Sequence, residues 1–282
     1  MKYSVTTVAL PELTMVQQAA MLKRLGYDGI ELRVRRVTDE ARKKPPSSWG
    51  YHVNDITPEN FKEKSSEIKK VLSDHGLKLA GLASAVACTD LEQMKLLLDG
   101  SVACGAPFIR VGAAAGWDGK RPYRDVYGET VAGYARVLEL TRGTGVKIVL
   151  EIHGGTIHPS ASLAYRIVSH FDPALVGVIY DPQNMVRDGF ETTSLAIDLL
   201  GPYVAHCHVG AHKPTGCELD AKGTAKWKWE GCSMAEGMYN FPAMMAALKK
   251  INFQGFISVE DFRNVPPEEK YASAIAYLKG IE

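Results

Sequence analysis

A short apolar run followed by a helix-period segment recurs along this chain, and that alternation constrains the fold more than any other feature. The apolar runs lie at 4–8, 28–33, 77–83, 107–112, 146–153, 174–181, 203–210 and 255–261. Between them come helical patterns with recognisable ends. Thr14 to Gln17 reads as a capping box, and Gly26 as the left-handed residue that closes the helix it opens. Pro58 suits the first turn of a helix running to about His75, and the T-D-L-E stretch at 89–92 opens another that reaches Gly105. A Gly-rich loop, AAAGWDGKRP, precedes a helix of roughly twenty residues. Residues 211–240 contain KWKW and read as a long loop without an element of their own. Strand–helix alternation of this length is expected to close as a single-domain α/β chain, a (β/α)8 barrel over residues 1–282. A doubly wound sheet would need a Gly-rich turn after the first strand, where this chain has VALPELT.

The net charge is +1, with basic residues spread evenly, so no phosphate-backbone partner is expected. Five cysteines without a C-x-x-C pair read as reduced structural thiols, which suits the cytoplasm. Neither a signal-like apolar segment near Met1 nor an 18-residue apolar stretch is present, so no membrane partner is expected.

The polar residues at the strand ends carry the chemistry. The run V-L-E-I-H-G-G at 149–155 ends an apolar strand in Glu151 and His153, which alternation puts on one face. Asp181 ends the sixth run, His206 and His208 lie in the seventh, and Glu260 and Asp261 end the eighth. In a barrel, consecutive strand ends converge at one mouth. Glu151, Asp181, His208 and Glu260 would then form a carboxylate-rich set with one imidazole, a donor set that suits one divalent cation, Mn²⁺ first, with Mg²⁺, Co²⁺ or Zn²⁺ also compatible. Three carboxylates at one point require such a charge. A strand-end acid taken singly is as readily a solvated side chain; the common position in the fold sets these four apart. Candidate substrate-binding residues are His153 beside the cation, Asn184, Lys213, Trp117 and Arg110. Arg33 shares the strand-end position as an ion-pair partner for the acids, His206 reads as structural, and Trp227 and Trp229 as loop residues near the mouth.

These segments resemble the xylose isomerase-like TIM-barrel family of sugar isomerases and epimerases, which also includes inosose and dehydroshikimate dehydratases and endonuclease IV-type enzymes. The resemblance covers nearly the whole chain and is carried by LGYDGIELR (25–33), FIRVG (108–112), VLEIHGG (149–155), YDPQN (180–184), HCHVG (206–210), AEGMYNF (235–241) and GFISVED (255–261). It implies a metal held by Glu151, Asp181, His208 and Glu260, with the two glutamates exchanging protons with a sugar or polyol through a metal-stabilised enediolate. The expected activity is that of an isomerase or epimerase. A dehydratase on the same site, or a sugar-binding barrel without catalysis, is the alternative. Asn184 stands where many ketose 3-epimerases have histidine. The DNA-cleaving branch needs further histidines, and Ser84 and Arg110 occupy those strand ends, so no nucleic acid is expected as substrate. Chains of this kind pair through helices or mouth loops, which makes a homo-oligomer an expectation.

Overall fold

The computed structural model describes residues 1–282. Eight parallel strands close in the order β1-β2-β3-β4-β5-β6-β7-β10. Their spans are β1 Lys2–Thr6, β2 Gly29–Arg33, β3 Lys78–Ala87, β4 Phe108–Gly112, β5 Lys147–Glu151, β6 Val176–Tyr180, β7 Val204–Val209 and β10 Phe256–Val259. The seam is made by β1 against β10, with Lys2 opposite Phe256 and Val5 opposite Val259. Strands covered on both faces are expected to be apolar nearly throughout, as KIVLE and VGVIY are in β5 and β6.

The helices follow in chain order: α1 Met15–Leu25, α2 Asp39–Arg42, α3 Phe61–Asp74, α4 Leu91–Cys104, α5 Tyr123–Thr141, α6 Ala161–Val168, α7 Pro182–Asp188, α8 Thr193–Leu200, α9 Phe241–Lys250 and α10 Pro267–Gly280. The capping box at Thr14 forms as the sequence predicts, with Gln17 N donating to the Thr14 hydroxyl and Gln17 Oε1 accepting from Thr14 N. Gly26 is left-handed at φ 86°. Two other starts differ. Helix α3 begins at Phe61 rather than Pro58, because Asn60 folds back to accept from Thr57 N and keeps residues 57–60 in a turn. Asp90, not Thr89, caps α4, accepting from Gln93 N at 2.9 Å. No helix is long and apolar enough to cross a membrane.

The region 211–240 is not an unstructured loop. It opens with an antiparallel hairpin, β8 Ala211–Leu219 against β9 Ala225–Cys232. The turn is held by Asp220, whose Oδ1 accepts from Lys222 N and Thr224 N, with Gly223 at φ 81°. The KWKW stretch is therefore part of strand β9. Trp229 packs toward the core while Trp227 stays exposed.

One apolar core fills the space between barrel and helices. Inside the barrel, Phe108, Val149 and Ile179 form a separate small plug. The interior positions two residues further on, nearer the strand ends, are Arg110, Glu151 and Asp181. Gly81 leaves room for the plug: a Cβ there would meet the Phe108 ring at 2.0 Å. Gly81→Ala is therefore expected to lower stability by about 1–3 kcal/mol through overpacking. Denaturant unfolding of the variant against wild type reads this directly, and an unchanged midpoint would show that the ring shifts freely.

Candidate active site

Four elements bring the acids together. Glu151 is the last residue of β5, Asp181 follows β6 and caps α7, His208 lies in β7, and Glu260 follows β10. Each offers one donor atom, and these atoms lie within 4.8 Å of one another. His208 Nδ1 is 2.7 Å from Glu151 Oε1, 3.6 Å from Glu260 Oε2 and 3.9 Å from Asp181 Oδ2. All four side chains are buried. Despite the short approach to Glu151, Nδ1 makes no hydrogen bond of acceptable geometry. An orphaned imidazole nitrogen facing three carboxylates is what a divalent cation would satisfy, and the hard oxygen-rich donor set fits one.

Beneath His208 lies Glu31, completely buried in β2. It accepts from His208 Nε2 at 2.9 Å and from Ser258 Oγ at 2.8 Å, and lies 3.3 Å from His206 Nε2. With Nε2–H engaged by Glu31, the ring is oriented so that Nδ1 faces the acids. This is the usual way a carboxylate behind a metal-binding histidine fixes its tautomer. Burial alone would raise the Glu31 pKa, but the two histidines outweigh it and hold the carboxyl well below its ordinary value.

The cluster is electrostatically uneven. Burial would raise Glu151, yet the Arg110 guanidinium, in direct ion-pair contact, and His208 bring it down to about 2. Burial pushes Glu260 above the usual carboxylate range; His208 opposes this, and Glu151, Asp181 and Glu31 add repulsion. Asp181 is raised in the same way, by burial and then by Glu151.

The predicted neighbours divide. Arg110 belongs to the site: Nε donates to the Ser84 carbonyl at 2.7 Å and Nη1 to Glu151. Asn184 clamps Asp181, donating Nδ2 to Oδ2 at 2.5 Å and its backbone N to Oδ1 at 3.0 Å. His153 does not share the buried face with Glu151. Strand β5 stops at Glu151, and His153 is exposed, its Nδ1 2.6 Å from the Gly154 carbonyl, although it still lines the adjoining cavity. Lys213 sits at the base of the hairpin against Glu230 and Glu236, at 3.4 and 3.7 Å, away from the acids. Trp117 is partly exposed and lines a different hollow with Tyr123 and Arg166.

Two cavities flank the cluster. One of about 330 Å³ is lined by Ser84, Arg110, Glu151, His153 and His158. The other, of about 490 Å³, is lined by Gln183, His212, Glu260, Asp261 and Arg263. Glu31, His158 and Trp49 were not predicted from the sequence. Glu31 carried a signal, since it precedes Arg33 by two residues in GIELR and therefore shares its face. His158 is buried with neither ring nitrogen partnered, inside a segment of no strand periodicity, and Trp49 packs at a tilt against Phe262, ring centroids 5.3 Å apart.

A family model described as xylose isomerase-like TIM barrel matches residues 19–281. The chain belongs to this family. Among solved structures it is similar to a 3-keto-D-glucoside 4-epimerase from E. coli, at 16% identity and TM-score 0.73 over 99% of both chains. It is also similar to a probable 3-DHS dehydratase from Bacillus anthracis, at 15% identity and TM-score 0.73 over 99% of both. A third, the IOLI protein with a bound zinc atom, shares 18% identity at TM-score 0.72 over 100% of this chain and 98% of that one. Identities this low establish the shared barrel and nothing finer. Compared by sequence, no curated protein matches the chain.

Two outcomes follow from this geometry. Glu31→Gln should weaken Mn²⁺ binding about 10–100-fold, because the charge that orients His208 is lost; titration calorimetry on the folded variant measures it, and unchanged affinity would remove Glu31 from the site. The second concerns His52, 4% exposed, whose pKa is lowered from 6.5 to about 4 by burial and then by Arg33 and Arg35. Because the folded state disfavours its protonated form, the unfolded chain takes up the proton first as pH falls. Stability attributable to His52 should then be lost between pH 6.5 and about 4, by up to about 1.4 kcal/mol per pH unit. Thermal melts of wild type and His52→Gln across that range should diverge with this sign.

Proposed function

We propose that the chain is a divalent-metal-dependent isomerase or epimerase of a ketose or related polyol. The observation that carries the reading is the convergence of Glu151, Asp181, Glu260 and the orphaned His208 Nδ1 between two cavities, with one glutamate lining each. These four residues would hold the cation, with Mn²⁺ the first choice for so oxygen-rich a set. When bound, such an ion supplies Lewis-acid stabilisation of charge developing on a carbonyl oxygen and its neighbouring hydroxyl.

The chain's own residues divide the remaining work. Glu260 has no lysine or arginine within ion-pair distance, and His208 is its one cationic neighbour, so its carboxylate oxygen not engaged by the cation would accept a proton from the carbon beside the carbonyl. Glu151 is anchored by Arg110 on the side of the other cavity and would return or accept a proton there. Asn184 keeps Asp181 from turning away. A single returning base gives aldose–ketose isomerisation; two opposed bases give epimerisation. Support for a sugar-modifying enzyme comes from family membership and from the fold shared with sugar epimerases.

Deuterium exchange tests this reading. With Mn²⁺ in D₂O, wild type should exchange the hydrogen next to the carbonyl in at least one of a panel of ketoses and cyclic polyols. Glu260→Gln should slow that exchange by about 10²–10⁴-fold, the usual worth of a positioned base, while its melting temperature stays close to wild type. Exchange at the wild-type rate in the folded variant would remove Glu260 from the chemistry.

A dehydratase on the same site is favoured by one feature, the exposed imidazole of His153 in the Glu151 cavity, which can protonate a departing hydroxyl. Product mass separates the two readings, since dehydration removes about 18 Da and isomerisation removes nothing.

A further inference from the structure

Two arginines at the β2 end of the barrel mouth have no acidic partner. Arg33 is 5% exposed; its Nη2 donates to the Gly50 carbonyl at 2.7 Å and its Nε finds no partner. Arg35 is half-buried, and its side chain makes neither an ion pair nor a hydrogen bond. The acids nearby are already engaged. Arg42 holds Asp55 through both carboxylate oxygens, at 3.1 and 3.2 Å, and Arg36 holds Glu59 at 2.6 Å and lies 3.7 Å from Asp90. Burial and then the charge of Arg35 push Arg33 down to about 10, so it remains protonated at neutral pH. A buried guanidinium without a counter-charge is costly unless something else supplies one.

Both arginines stand on the β2 side of the same barrel mouth. Arg33 shares the interior face of β2 with Glu31, which touches His208. Its register partner is Ala83, next to Ser84 in the wall of the Arg110 cavity. Arg35 feels the charge of Arg110, which is itself bound to Glu151. The loop that accepts from Arg33 includes Trp49, whose ring packs at a tilt against Phe262 two residues after Glu260, so the same segment links the arginines to the end of β10, two strands away around the barrel. The mouth is thus polarised. Carboxylates stand at the ends of β5, β6 and β10, and guanidinium groups at the ends of β2 and β4.

We propose that Arg33 and Arg35 form a subsite for an oxyanion of the substrate, a carboxylate or a phosphate, so that the sugar processed at the neighbouring cluster is acidic. This deepens the isomerase reading and rests on it for the identity of the reacting group. The unused N–H donors, Nε of Arg33 and the whole fork of Arg35, match the paired oxygens of either anion. Arg110 is not part of the subsite, because Glu151 and the Ser84 carbonyl already occupy it.

Calorimetric titration in EDTA, at low ionic strength, isolates this subsite from the metal. The probes are inorganic phosphate, D-gluconate and neutral D-fructose. Phosphate or gluconate should bind at least about tenfold more tightly than fructose, and Arg33→Met and Arg35→Met should each weaken that anion by about 10–100-fold, the worth of one charge-assisted interaction. Preference for phosphate identifies a phosphorylated sugar, and preference for gluconate a sugar acid. Arg35→Met breaks no hydrogen bond or ion pair, so it keeps the test open should Arg33→Met fail to fold. Anions binding no better than fructose, or binding equally to wild type and Arg35→Met, would overturn the proposal. Mn²⁺ uptake by wild type is titrated separately. Its absence would sink the isomerase reading and leave the anion result standing.

Discussion

Three buried carboxylates crowd one imidazole nitrogen at the mouth of this barrel, and the rest of the site is arranged around that crowding. Two like charges about 4 Å apart repel by about 4 kcal/mol at the effective dielectric of a protein site. The donor atoms of Glu151, Asp181 and Glu260 lie within 4.8 Å of one another. Arg110 offsets part of the repulsion from one side, and Glu31 fixes His208 from below. Neither fills the space between the acids. A divalent cation would, and the donor set is one that could hold it.

Barrel closure makes the crowding possible. The four donors come from positions spread between 151 and 260, and only the parallel register of β5, β6, β7 and β10 sets them side by side. The small apolar plug of Phe108, Val149 and Ile179 seals the interior below them. The four donors therefore sit in a buried layer above Glu31, His206 and the plug, where electrostatic interactions are strong. The βα loops then decide what enters. The loop carrying Trp49 and Gly50 links the ends of β2 and β10, and the base of the hairpin after β7 lines the Glu260 cavity.

Much of this was legible in the sequence, for physical reasons that also explain the gaps. Strand–helix alternation exposed the barrel because strands buried on both faces must be apolar. Once the strands were placed, Glu151, Asp181, His208 and Glu260 stood out as polar residues at their ends, and the structure brings them together. Glu31 is inconspicuous in the sequence because Arg33, not Glu31, ends its run, although both share a face. The hairpin was missed because Pro214, Gly216 and many lysines mask strand propensity, while the K-W-K-W alternation was short. Alternation carried past Glu151 would put His153 on the buried face, but β5 ends at Glu151. His158, Arg35 and His52 lie in irregular segments, where no periodicity says which way a side chain points.

The central claim is that this cluster binds a metal, and the most direct test is bound metal per chain by elemental analysis. Wild type and the Glu151→Gln/Glu260→Gln double variant are compared, each purified and then equilibrated with Mn²⁺. The account predicts near-stoichiometric divalent metal in wild type and its loss in a variant that remains folded. No metal in wild type even after Mn²⁺ addition, or equal metal in both, would contradict it.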